Sequence, residues 1–504
     1  MAGTYSAWRL KQAHPQARIV LLEASSRIGG RLHSLTPEGM PSLRAEIGGM
    51  RFPSFHRFAL NLIDTLGLET REFKEGNANN LFYLRGRRLK GEDFAHSDRV
   101  PYWLREDEQG VSPPELLKRC LQRLSQQSAD FGPAELEKAR RGQGLNGQPL
   151  HELGFLQQLM QVASFEALQL IEDAGGYYTA VGNTNASDTI YTMLCHRRET
   201  GVHFRTLKEG LQALPVRLAS EFQRLGGEVR LQHALVGLPR PEGRVVLRVR
   251  AGETIDTLSA GRVILAMPRR SLELLLGRCY LFQIPQFVED LQQVSGQPAS
   301  KLFLCFDHPW WSALGLESGR SDTDLPMRQC YYFGTEGDQP GADPATRRSL
   351  LMAGYNDGKA VSFWQGFVRG GMAANALLES ELPVHHSPVD ELEPSSPMVE
   401  ESCRQLSELH QLEVPRPYAS YFVDWMTDPY GGAWHSWRVG ARSWEVMPRM
   451  RQPDLAHPIY ICGEAYSLDQ GWVEGALNTA EHVLEEKFGL SPPPFLPEGQ
   501  FFGP

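Results

Sequence analysis

Glu23 closes an apolar run of Ile19, Val20, Leu21 and Leu22, and Arg27, Gly29, Gly30 and Arg31 follow it closely. An acidic side chain at the end of a buried parallel strand can accept both hydroxyls of an adenosine ribose. Glycines let backbone approach a phosphate, and a guanidinium beside them neutralises it. A strand, an acid and then RIGGR therefore describe the adenosine half of a dinucleotide site and favour FAD over NAD. A second reactive segment lies at residues 459–485, IYICGEAYSLDQGWVEGALNTAEHVLE. It reads as a strand, Gly463 and Glu464, a loop, and a helix opening at residues 471–473. The amides of such a helix N-terminus can stabilise negative charge arriving on a reduced flavin; the plain alternative is one more strand-to-helix turn of an α/β sheet.

A complete dinucleotide unit begins with a strand and a GxGxxG turn whose bare amides hold the pyrophosphate. The sequence opens MAGTYSAWRLKQAH, in which Gly3 reads as the last glycine of that turn. Residues 4–14 read as the helix that follows, with Tyr5, Trp8 and Leu10 on its apolar side. The start is therefore expected to be truncated or misassigned, and a restored strand and turn to raise FAD affinity.

Further along, residues 205–227 predict a helix with Leu211, Leu214, Leu218 and Phe222 on one face. Strands are predicted in EVRLQHALVGL and RVVLRVR, and a short buried one in RVILAMP. Residues 105–198 carry helical spacing, whereas 299–440 alternate strands such as KLFLCF and LLMAGY with aromatic-rich loops. The expected fold class is α/β, with a discontinuous Rossmann-like FAD-binding domain (1–40, 205–298 and 441–490). A substrate-binding domain of mixed sheet (41–104 and 299–440) and a helical insertion (105–204) complete it.

With 504 residues the chain can bury a large core in two or three domains. A net charge of −9 without basic stripes disfavours nucleic acid. No apolar run spans a bilayer and no export signal is visible, so a cytoplasmic location is expected as written, with export left open by the irregular start. The seven cysteines show neither CxxC nor zinc spacing and read as reduced, and no metal is expected. His385 and His386 read as a solvated loop within a surface excursion at residues 379–401.

With Glu23, RIGGR, RVILAMP and GEAYSLDQGWVEGAL in this order, the chain resembles the flavin-dependent amine oxidases, and more closely the L-amino acid oxidases. The resemblance is strongest in residues 3–90, 205–310 and 420–485. It implies that Gly3, Gly30 and Arg31 lie along the pyrophosphate, Glu23 on the ribose and Val236, through its backbone, against the adenine. Glu464 would meet the ribityl or phosphate region, and the Val473 amide the flavin pyrimidine. Gly49, Met50 and Arg51, in AEIGGMRF, would pass beside the isoalloxazine.

The same resemblance assigns the substrate side. Arg51 would grip an α-carboxylate by two parallel bonds and turn the Cα hydrogen toward the flavin; its alternative is a salt bridge. Tyr355 would assist, or be a core tyrosine. Lys301 matches the lysine held through a water near the flavin N5, or else reaches solvent at a strand end. Trp434 and Trp472 would wall the pocket, with the Gly471 carbonyl near the amine, or belong to the core. They favour a large, aromatic or cationic side chain, and Glu474 could attract a basic one. Ala433 stands where monoamine oxidases have a flavin-bonded cysteine, so the FAD is expected to be noncovalent. The implied reaction converts an L-amino acid and dioxygen to a 2-oxo acid, ammonia and hydrogen peroxide, with a homodimer as the expected assembly. The competing readings are an amine or polyamine oxidase, and a flavin-poor fold used for binding.

Overall fold

The N-terminal helix, Ala2–Ala13, is enclosed by the helices Ala213–Arg224 and Val473–Phe488, in a computed structural model that describes residues 1–125, 133–198, 202–368 and 392–496. Because it is enclosed, even its polar residues need partners. Arg9 pairs with Glu481 at 3.0 Å, the Tyr5 hydroxyl donates to the same carboxylate, and Lys11 donates to the carbonyls of Pro15 and Ala17. Tyr5, Trp8 and Leu10 join Leu211, Leu214, Leu218 and Phe222 in one core, as their spacing predicts. Each such side chain contributes about 1.5–3 kcal/mol of burial energy.

The parallel layer consists of two separate pairs of strands. Val20–Leu22 pairs with Glu228–Arg230, and Val263–Leu265 pairs with Ile459–Ile461. A cavity of ≈ 1030 Å³ lies between them, lined by residues of Val20–Leu22 on one side and of Val263–Leu265 on the other. The prediction of a buried strand at residues 19–22 is therefore corrected: all four residues are half-buried, because one side faces the cavity. The Ile19 carbonyl and Glu23 amide bond to Glu228 and Arg230, so by alternation those of Val20 and Leu22 point to the other side. Likewise Val263 and Leu265 bond to Pro458 and Cys462, which turns the backbone of Ile264 away from its partner strand.

A mixed seven-stranded sheet forms the other face of the site. Its order is Ala419–Asp424, Ala299–Phe306, Ser349–Asp357, Gln329–Thr335, Arg320–Thr323, Leu81–Leu84 and Arg87–Lys90. Ala299–Phe306 is paired on both edges and every residue in it is buried. Residues 105–198 supply helices, among them Pro113–Ser125, Phe165–Gly175 and Ala186–Arg198, around Leu121, Phe155, Leu168 and Ile171.

Phe52, Phe58, Leu62 and Ile63 pack in the core of the N-terminal helix. Part of the supposed excursion at 379–401 is instead the start of a helix, Ser396–His410, anchored by Met398, Leu406 and Leu409. His385 and His386 lie outside the described residues. All seven cysteines are free thiols, and among the described residues no acidic, His or Cys cluster could hold a metal. No described helix is long and apolar enough to cross a membrane.

Candidate active site

At one end of the cavity, Glu23 is fixed by its amide bond to Arg230 at 2.9 Å. Its Oε1 accepts from the Ser25 amide and hydroxyl, both at 2.9 Å, while Oε2 has no hydrogen bond among the described residues. The turn beyond it depends on glycine: a Cβ on Gly29 would meet the Leu32 carbonyl at 2.3 Å, and Gly30 has φ +58°. Gly3 lies between Leu21 and Ala266, 3.5 and 3.3 Å from where its Cβ would stand. His233, Ala234 and Leu235 form the wall on the third strand. Val236, expected to meet the adenine through its backbone, follows them with its side chain buried, in a strand whose antiparallel register slips between Leu235 and Gly237.

Arg31 joins this cavity to the remaining site. Its Nη1 donates to Glu464 Oε2 and to the Ala433 carbonyl, each at 2.7 Å. Glu464 also accepts from the His435 amide and ring Nδ1, both at 2.9 Å, and from the Gly471 amide at 2.6 Å. Despite burial, these cationic and N–H partners hold its carboxyl far below the ordinary range. Glu464 is thus occupied by protein on both oxygens. It positions Arg31, the strand Trp434–Trp437 and the Gly471 turn.

Arg51 is almost enclosed. Its guanidinium faces the rings of Phe204, Phe73 and Tyr331 at 5.0, 5.4 and 5.6 Å, and its Nη2 lies 2.5 Å from Glu75. Neighbouring Tyr331 and Glu75 hold its pKa well above the usual value against the pull of burial. The alternative for Arg51 is a surface or cofactor salt bridge, whereas the pair observed joins an almost enclosed Arg51 to the protein's own Glu75. Arg51 Nε has no partner among the described residues.

Lys301 is buried on the second strand of the sheet, directly opposite Tyr355 on the neighbouring strand. Its Nζ lies 4.6 Å from the Tyr355 ring and donates to the carbonyls of Glu46, at 2.9 Å, and Gly48. The solvent-reaching alternative is excluded. Burial pushes the Lys301 ammonium down to about 7 and the nearby Glu46 carboxyl up to about 7. Lys301 thereby fixes the loop carrying Gly49, Met50 and Arg51. In that loop, Gly48 packs on the Arg31 carbonyl, which a Cβ would approach to 2.2 Å.

Trp472 precedes the helix Val473–Phe488, whose N-terminus no side chain caps, and stacks on Phe204 at 6.4 Å. Phe204 therefore links Trp472 to Arg51. Trp434 lies beside Gly471, 3.6 Å from where a Cβ would stand. Glu474 is a correction: it turns away from the pocket and accepts from the Phe58 and Ala59 amides, both at 2.9 Å. Helix geometry explains this, since successive residues point about 100° apart. Glu75, Phe204, Tyr331 and His435 were not legible as site residues. They come from strands and loops remote in sequence, and a salt bridge or ring contact leaves no local spacing.

The residues fit a nucleotide-bearing cofactor. Glu23 offers a free acceptor and Arg31 a partly exposed cation on a volume at the upper limit of common ligand sites, and Val473 begins a helix that no side chain caps. Residues 1–483 match the profile of the flavin containing amine oxidoreductases. Aplysianin-A of Aplysia kurodai is 27% identical, covering 97% of this chain and 88% of its own length. Achacin of Lissachatina fulica is 25% identical over 97% and 91%, and an L-amino-acid oxidase of Mus musculus is 27% identical over 73% and 54%. Wild-type putrescine oxidase bound to putrescine shares the fold, with a TM-score of 0.63 at 18% identity over 96% of this chain and 98% of that one. The chain belongs to the flavin-containing amine oxidoreductase family.

Proposed function

We propose that this protein is an FAD-dependent L-amino acid oxidase. Substrate, dioxygen and water become a 2-oxo acid, ammonia and hydrogen peroxide. The observation that carries the reading is the Arg51 guanidinium, ringed by aromatic side chains and already engaged by a carboxylate. A cation so placed is suited to an α-carboxylate. Relatives named L-amino-acid oxidase support it.

Arg51 binds the carboxylate and fixes the orientation of Cα, and Tyr355 closes the same chamber from the neighbouring sheet. The Gly471 carbonyl is the acceptor for the substrate ammonium, and Trp434 and Trp472 exclude water around the side chain. Lys301 Nζ, with its lowered proton affinity, can hold or release a proton near neutrality. Glu23 would hold the ribose, Arg31 the pyrophosphate, the Val236 backbone the adenine, and the Val473 amide the pyrimidine ring. FAD, noncovalently bound because Ala433 offers no thiol, supplies hydride acceptance and the reduction of dioxygen.

A peroxide-release screen over L-amino acids, D-enantiomers and diamines tests this. L-amino acids should react, and Arg51→Ala should lower their kcat/KM by about a hundredfold, roughly 3 kcal/mol of transition-state binding. Activity confined to amines and unchanged in Arg51→Ala would overturn it. That outcome is the second reading, an amine oxidase, which the Arg51–Glu75 pair favours because it satisfies Arg51 without a substrate carboxylate. Acid precipitation should leave the flavin in the supernatant; flavin retained on the protein would refute the noncovalent assignment.

A further inference from the structure

Glu75 follows the strand Thr70–Phe73, and its backbone carbonyl accepts from the Arg320 amide at 3.1 Å. The segment is thereby pinned at the mouth of the Arg51 chamber, with only the side chain reaching inward. The two halves of the ion pair are unequal. The Arg51 side chain is 9% exposed and enclosed by three rings, whereas that of Glu75 is 32% exposed. The guanidinium is therefore the fixed partner and the carboxylate the displaceable one. The guanidinium is also incompletely used, since Nε remains without a partner. A small free carboxylate engaging two N–H groups in parallel would fill a fork that Glu75 leaves partly open.

We propose that Glu75 is an internal competitor for the α-carboxylate, a specificity-determining residue that occupies Arg51 until substrate displaces it. This rests on the reading of Arg51 as the carboxylate site. In the resting enzyme the pair keeps a buried cation compensated, which an empty aromatic chamber could not do. A substrate must replace one carboxylate with another, so the net gain from its charge is small. Amines without a carboxylate cannot make that exchange and meet a closed pair. Glu75 thus lowers affinity for every carboxylate while excluding ligands that lack one.

The test is calorimetric titration of the holoenzyme with benzoate, a carboxylate with no amine to oxidise. Glu75→Gln is expected to bind benzoate about tenfold more tightly than the unmodified protein, and the KM for the reacting amino acid to fall in parallel. Glu75→Asp, which keeps the charge but retracts it by one methylene, should move the same way by less. Benzoate should also raise the melting temperature of Glu75→Gln more than that of the parent, because it restores a counter-ion to Arg51. Unchanged or weaker benzoate binding in both variants would overturn the proposal, since a prop for Arg51 would give that result. Arg51→Met separates the two levels. If it abolishes benzoate binding while the Glu75 variants do nothing, the competitor is wrong and the carboxylate site stands. If it leaves benzoate binding and amino acid turnover intact, the reading of Arg51 itself fails.

Discussion

Arg31 and Glu464 are 433 positions apart and meet at 2.7 Å, joining the glycine turn of the cavity to the Gly471 loop. Replacing Glu464 by Gln keeps the shape but removes the charge that compensates Arg31. The expected loss is on the order of 3 kcal/mol at pH 7, read by urea denaturation. The carboxyl is depressed relative to its ordinary value of 4.5, so its stabilisation is present above that pH and is lost as pH falls below it. The difference between parent and variant should shrink at pH 4. A constant difference across that range would contradict the assignment.

Lys301 gives a pH dependence of its own. An unfolded lysine keeps its proton to about 10.5, whereas the buried one releases it near 7. Between these values the unfolded chain binds more protons, so raising the pH favours the fold, by at most ~1.4 kcal/mol per pH unit. Lys301→Met should abolish that rise. Melting curves from pH 7 to 10 compare the two proteins, and parallel profiles would show that Lys301 is charged throughout.

The sequence makes the cofactor side legible because its elements are local. Strand, acid and RIGGR stand within thirteen residues, and the uncapped helix after Gly471 sits where the pattern places it. Lys301 was singled out by resemblance, at the start of the KLFLCF strand, and its burial there is what the structure adds. The partner of Arg51 was not legible, because Glu75 is brought to it by tertiary packing across the sheet edge. The register slip between Leu235 and Gly237 was not legible either, because no residue type announces a bulge. The half-burial of residues 19–22 was equally hidden, since an apolar run reads the same whether or not both its sides are covered.

Glu474 is expected to matter for stability and not for side-chain preference. Its carboxylate satisfies the Phe58 and Ala59 amides at the start of the helix Arg57–Thr65, a role that His56 at the cap position does not fill. Glu474→Ala should cost about 3 kcal/mol by leaving two buried N–H groups without acceptors. The ratio of kcat/KM for lysine over leucine should remain the same. A shifted ratio with unaltered stability would return Glu474 to the pocket.

Phe204 touches both Trp472 and Arg51, so the helix that opens at Val473 and the guanidinium share one mechanical support. A change in the size of that single ring would displace both together.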